Sequence, residues 1–530
     1  MWTVCLILFV SVFLSLWFYS RRKHSYWSSK GVPCPPPLPF LGHVHKMYSK
    51  KKGRWIFENE VYRRYGGSTY AGVYEFHNPI LVVGDPYLTK CILVKDFSHF
   101  TDRRIQAVMT TERDSVMNHM LTSKRGEEWK SLRSVISPAF SSGKMKSMFH
   151  LVCAKADALV SFCLAEAAKK PSVDMKYNFG RYTVDTLASC AFGIECNSLV
   201  NEEAEFPKKV SEFFTVPRSR LLKFLLYRLA PKVFSMLQIR LNPPELDFFK
   251  EVVTQTISER KKRGVRRGDF LDLLLDVGPQ EANTDLTEET MGLHEEGHCD
   301  KESLVKGMAE VLRKQRLDDN TIVAQCLLFL VAGYDTTAST LAFATFLLAK
   351  NPEEQERLRR EMRQMKKDNE GDLPYSGLME AKFLDACLME TLRLYPPGPR
   401  LQRMCTKTYK LPGTDLIIPV GSIVQCLVWS VHRDPRYWPE PEAFLPDRFM
   451  PENKANIKSF THIPFGMGPR NCIGMRFALM EAKVALAKLV LRADLKLAPG
   501  CDEIVLEGGN SAVLRPKNGI DIILTPLEGE

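Results

Sequence analysis

FGMGPRNCIG, Phe465–Gly474, sets three glycines, a proline and an arginine around one of the chain's fourteen cysteines. It is not a phosphate cradle. Gly466 and Gly468 have the spacing of a GxGxxG loop, but Asn471 stands where the third glycine belongs, and Pro469 lacks the N–H an anion nest would use. The following MRFALMEAKVALAKLVL has helical apolar periodicity, which places Cys472 just before a helix N-terminus. The positive helix end and Arg470 are expected to favour a thiolate there. The glycines let backbone approach a flat, bulky partner. A thiolate presented in this way suits a single axial metal bond, with haem iron the obvious candidate. The alternative, a plain buried cysteine, needs neither the glycines nor the arginine.

Three further motifs and an earlier one lie in order along the chain. AGYDTT, Ala332–Thr337, interrupts the apolar helix LLFLVAGYDTTASTLAF with a glycine, an acid and two hydroxyls. Such groups either bond back to carbonyls one turn earlier and kink the helix, or serve as a proton relay. In ETLR, Glu390 and Arg393 share one helical face at i, i+3. A surface pair of this kind is worth almost nothing, but the flanking LDACL and LRLYPP are apolar and point to burial. PDRF spans Pro446–Phe449, and WKSLR spans Trp129–Arg133.

Together these motifs resemble the cytochrome P450 superfamily. The resemblance implies a mainly α fold, with a large helical domain, a smaller β-rich region and an N-terminal transmembrane helix. It implies haem b (iron protoporphyrin IX) as cofactor, with Cys472 as metal ligand in a loop that includes Phe465 and Gly474. Arg103, Trp129, Arg133, Arg403 and Arg470 are carried over as partners of the haem propionates, although Arg104 could replace Arg103. Asp335 and Thr336 are implied as the acid–alcohol pair serving dioxygen activation, with Ala332 and Gly333 leaving room for oxygen. Arg448 is expected to close the Glu390–Arg393 pair behind the haem loop. Val331, Ala332, Pro397, Gly398 and Pro399 are expected at the substrate pocket. The activity implied is that of a haem-thiolate monooxygenase of the animal microsomal type, oxidising xenobiotics, steroids or fatty acids. Electrons would come from an NADPH-dependent reductase carrying FAD and FMN, with cytochrome b5 as an optional second donor. A hydroperoxide isomerase or dehydratase on the same fold, and a non-catalytic haem ligand-binding protein, remain as alternatives.

The rest of the sequence sets the context. At 530 residues, length alone suggests several domains, yet no internal repeat or clear boundary breaks the chain. The net charge of +11 favours acidic partners or an anionic membrane, and no nucleic-acid motif accompanies the basic runs. The cysteines show no CxxC spacing, which argues for reduced thiols in a cytosol-facing protein. Residues 1–20 carry no charged side chain and are followed by RRKH. Twenty helical residues span the ~30 Å hydrocarbon core. The basic residues after the run predict an uncleaved single-pass anchor with the remainder cytosolic, at the endoplasmic reticulum; a cleaved signal would carry its charges first. Residues 21–40 read as a basic and Pro-rich linker that spaces the anchor from a catalytic domain over 41–530. STYAGVYEFHNPILVVGDP predicts two strands around an Asn78-Pro79 turn. Glu281–Glu302 reads as an acidic exposed loop. Val216–Arg240 interleaves leucines and aromatics with cations, which suits either a membrane-surface segment or a core helix with a cationic outer side.

Overall fold

The computed structural model describes residues 2–49, 51–104, 116–201, 204–214, 223, 226, 231–237, 239, 243–264, 266–276, 317–509 and 513–527. The acidic Glu281–Glu302 segment lies outside these residues, as does most of Val216–Arg240.

The core is organised on one long helix, Asp319–Lys350, which we call the central helix. Its start is capped by Asp318, whose carboxylate accepts from the Thr321 N–H at 2.9 Å. Its run of apolar residues is apolar all round rather than on one stripe, the pattern of a helix buried on every side. Helices Met175–Leu187, Lys382–Leu394 and Met475–Arg492 pack against it. Small residues set the closest approaches: a Cβ on Gly333 would sit 3.1 Å from Leu187. That glycine therefore serves contact between helices.

The β-rich region is small. Strands Tyr70–Glu75, Asn78–Val83, Ile423–Cys426 and Leu401–Met404 form one sheet in that spatial order. The first pair is antiparallel, with Tyr70 opposite Val83 and Glu75 opposite Asn78. The turn is thus Phe76–His77, two residues earlier than the expected Asn78-Pro79, and Phe76 takes φ of 56°. Pro79 is accommodated because it lies at the start of a strand. A parallel pairing of Ile80 with Ile423 brings the distant C-terminal part of the chain onto the hairpin.

The N-terminal helix runs Trp2–His24, longer than the expected span, and is long and apolar enough to cross a membrane. Helices Ser142–Ala167 and Asp319–Lys350 also meet that criterion of length and composition, but form part of the core. Residues 21–40 do not act as a free spacer. Ser20 is buried and accepts from the Phe40 N–H at 2.7 Å. Trp27 is buried, and its indole N–H donates to Val73 O at 3.2 Å. It packs so tightly on Gly72 that any Cβ there would collide with the indole. The proline run offers carbonyls instead of N–H groups, and Pro33 O accepts from the Gly72 N–H at 2.8 Å.

Candidate functional site

The loop Phe465–Gly474 is closed by its own backbone. Cys472 N–H donates to Phe465 O at 2.9 Å, and Asn471 N–H to Gly468 O at 2.9 Å. Gly466 and Gly468 take φ of 73° and 74°, so both need the freedom of glycine. A Cβ at Gly468 would collide with the Leu93 carbonyl oxygen, so this glycine is required by a neighbouring segment of protein. Gly474 differs: it caps helix Met475–Arg492 at ordinary φ, and a Cβ there would meet nothing closer than Phe140 at 3.8 Å.

Cys472 is exposed, yet enough protein surrounds it that burial raises its thiol pKa. A thiol both accessible and desolvated sits in a recess. Opposing the burial are the Gly474 backbone N–H and the charges of Arg133 and Arg103. Arg470 is engaged by other groups. Its guanidinium lies 4.1 Å over the Trp129 ring and donates to Lys124 O at 3.0 Å.

Four arginines converge beside this recess. Arg103 donates to Arg470 O at 2.7 Å, which ties its own segment to the loop. Arg104 instead pairs with Glu75, so geometry separates the two neighbouring arginines. Arg133 donates to Asn471 O at 3.0 Å and to Asn471 Oδ1 at 2.8 Å. Arg403, on strand Leu401–Met404, is buried and donates to Gln402 O at 2.9 Å. Burial pushes Arg403 and Arg470 down to about 9 and Arg133 to about 10, and Arg103 is lowered too. Mutual repulsion adds to the shift in Arg470 and Arg403. All remain cations at neutral pH. Asp102, 3.7 Å from Arg470, offsets only part of this charge. Arg403 Nε and Nη2 and Arg470 Nε are buried without a hydrogen-bond partner. Buried cations with unused donors are costly unless an anion meets them. The donor set therefore fits a ligand with one axial thiolate bond and more than one carboxylate, as haem has.

The central helix presents Ala332 as its one exposed residue between Ile322 and Ala349. Thr336, one turn on, donates its hydroxyl to Ala332 O at 2.7 Å. Asp335 is buried and pairs with Lys176 at 2.8 Å and Arg515 at 3.6 Å, both of which keep some contact with solvent. The sequence held no signal for these two partners, which come from remote elements. Among the pocket residues, Val331 and Gly398 are half-buried, and the space a Cβ at Gly398 would enter is open. Pro397 O and Pro399 O accept from Leu514 N–H at 2.8 Å and Trp429 N–H at 2.9 Å, so this turn is held by the backbone of two other segments.

Glu390 and Arg393 are fully buried and bidentate at 2.7 and 2.8 Å. Arg448 lies 3.4 Å from Glu390. Arg393 also donates to His432 O at 2.9 Å, and His432 Nε2 accepts from the Ile463 N–H at 2.9 Å. Ile463 O in turn accepts from Gly466 N–H. A continuous chain of bonds thus runs from the ion pair to the cysteine loop. His432 carries that link and was not singled out from sequence.

The Cytochrome P450 family model matches residues 32–524. The chain is 36% identical over 516 residues to cytochrome P450 9e2 of Blattella germanica, covering 94% of this chain and 92% of that protein. It is 36% identical over 529 residues to cytochrome P450 3A41 of Mus musculus, covering 98% and 96%. It is 33% identical over 524 residues to cytochrome P450 6k1 of Blattella germanica, covering 98% and 96%.

Proposed function

This chain belongs to the cytochrome P450 family, whose members bind haem, and from that premise we propose how its own residues serve a monooxygenase acting on lipophilic small molecules. The observation that carries the proposal is the accessible, desolvated Cys472 beside four arginines, two of which, Arg403 and Arg470, keep unused buried donors.

Cys472 Sγ would hold the haem iron, with Arg133, Arg103 and the Gly474 N–H countering the desolvation of its thiolate. Arg103, Arg133, Arg403 and Arg470, with Trp129 beneath Arg470, would hold the two propionates. Phe465 and Gly474 frame the ligand loop. Bound haem supplies the electron-transfer and dioxygen chemistry by which one oxygen atom enters a substrate C–H bond. The chain provides the protons. Thr336 Oγ1, once turned from Ala332 O, delivers a proton inward, and Asp335 restores it from the solvent side past Lys176 and Arg515. Val331, Ala332 and the Pro397–Pro399 turn bound the substrate space, whose apolar character selects lipophilic compounds such as xenobiotics, steroids or fatty acids. Glu390, Arg393 and Arg448 act on the loop's position and touch no substrate.

Electrons come from an NADPH-dependent flavoprotein reductase, with cytochrome b5 as a second donor. The Trp2–His24 helix makes a single pass through the endoplasmic reticulum membrane, with the catalytic part on the cytosolic side. The test is the spectrum of the reduced, carbon-monoxide-bound protein beside Cys472→Ala. Wild type is expected to show the thiolate-ligated band and the variant to lose it. A wild type without that band would overturn the proposal.

A further inference from the structure

Gln325 is a polar residue in an apolar stretch of the central helix. Ile322, Val323, Ala324, Cys326, Leu327 and Leu328 around it are buried, and so is Gln325 itself, at 0% exposure. Its amide is fully used, chiefly by the backbone of a different segment. Oε1 accepts from the Leu121 N–H at 2.9 Å. Nε2 donates to His119 O at 2.8 Å and to Thr321 O at 3.0 Å, one turn back on its own helix. A second contact at the same level joins Thr321 Oγ1 and His119 Nδ1 at 3.5 Å. The segment it grips, Val116–Leu121, is a short turn whose Met117, Met120 and Leu121 are buried in the same core as the helix.

The helix geometry says where this grip lies. Gln325, Ala332 and Thr336 stand at i, i+7 and i+11, which returns to one face of an α-helix. Gln325 is therefore about 10 Å along the axis from Ala332, the exposed residue of that helix. The turn held by Gln325 covers the same face on which Ala332 and Thr336 border the substrate space. Recognition of main-chain N–H and C=O groups fixes where the turn sits without dictating its side chains.

We infer that Gln325 is a positioning residue that sets the wall of the substrate space by clamping the backbone of His119 and Leu121 to the central helix. The inference rests on the haem-thiolate reading above. A buried amide that reads another segment's backbone has a purely stapling role as its rival, and the two differ in what they do to ligands of different size. A small ligand does not reach a wall about 10 Å from Ala332, whereas a bulky one does.

The experiment uses the full, haem-loaded chain with Gln325→Met, which keeps the volume and removes both amide functions. Two readouts are compared with wild type: hydrogen exchange over residues 116–121, and haem absorbance titrations with imidazole and with the bulky azole clotrimazole. Exchange at the Leu121 amide is expected to rise by about tenfold or more, as a lost hydrogen bond of about 1.4 kcal/mol implies. Clotrimazole affinity is expected to change by about fivefold or more, and imidazole affinity by less than about twofold. Faster exchange with both azoles unchanged, or both changed alike, would reduce Gln325 to a staple and overturn the inference. Unchanged exchange would deny the clamp itself. Should Gln325→Met fail to bind haem, Gln325→Glu decides. It keeps the acceptor for Leu121 and, when ionised, sets an oxygen against His119 O and Thr321 O where the donor stood, so it is expected to alter clotrimazole binding with imidazole changed by less than about twofold, and no change in clotrimazole affinity overturns the inference. Absence of the thiolate-ligated carbon-monoxide band in wild type is a separate result, which defeats the haem-thiolate reading and not the clamp.

Discussion

Gly468 and Gly474 look alike in FGMGPRNCIG and do different work. Gly468 has positive φ and no room for a Cβ against the Leu93 carbonyl, whereas Gly474 has ordinary φ and space around it. Gly468→Ala is expected to destabilise the fold by about 3 kcal/mol, from strain and forced displacement together. Gly474→Ala is expected to cost less than about 1 kcal/mol. Chemical denaturation of the two variants checks this contrast, and equal losses would contradict it. Thr336 invites a different measurement. Its hydroxyl bonds back to Ala332 O, the arrangement that by itself only bends a helix. If Oγ1 also carries a proton, Thr336→Ala retains substrate binding while product per electron pair falls and the balance appears as peroxide or water. Product yield against NADPH consumed and peroxide formed gives the answer; unchanged coupling leaves Thr336 as a helix-bending residue alone. Of the site residues, the chemistry of Cys472 was legible because glycines, cation and helix start are neighbours in sequence. That Arg103 and Arg133 would bond to Arg470 O and Asn471 O of the loop was not legible, because side-chain direction follows from packing.

Among the elements, helices could be read well and their partners poorly. A continuous apolar run located the central helix, and apolar periodicity the helix after Cys472, since both properties are local. The hairpin turn shifted to Phe76–His77 because strand register is chosen by pairing partners, and the Asn78-Pro79 dipeptide was absorbed as a strand start. ETLR is the element whose burial mattered most. As an exposed pair it would contribute little; at 0% exposure, with Arg393 reaching three backbone carbonyls and Glu390 accepting from the Leu445 N–H, it is a structural joint. Glu390→Gln is expected to lower stability by about 3–5 kcal/mol, because Arg393 is left as a poorly compensated buried cation. Equilibrium unfolding followed by circular dichroism tests it, and a loss below about 1 kcal/mol, the value of a surface pair, would refute it. The joint also explains a correlated effect: haem retention should fall with stability, since His432 and Ile463 connect Arg393 to the cysteine loop.

At the scale of the whole molecule, the N-terminal helix and the catalytic fold are joined more firmly than composition suggests. Ser20, Trp27 and Pro33 are bonded to the first sheet and to Phe40, so the chain between anchor and domain is part of the domain's surface. Deleting residues 2–19 is expected to reduce membrane association without altering the unfolding transition of the soluble part. Trp27→Ala is expected to leave membrane association intact and cost about 3–5 kcal/mol. Membrane flotation and thermal unfolding of both variants separate the two roles; a Trp27→Ala protein as stable as wild type would restore the picture of a free linker. The sequence by itself determined what is local: the cysteine ahead of a helix, the apolar N-terminal span, the buried central helix, and an ordered set of motifs specific enough to imply the family. Tertiary structure alone decided which of Arg103 and Arg104 meets the loop, which remote cations hold Asp335, and which side chain packs on Gly333. Those outcomes depend on distances between residues far apart in the chain, set by how side chains fill a shared core, and no window of sequence contains that information.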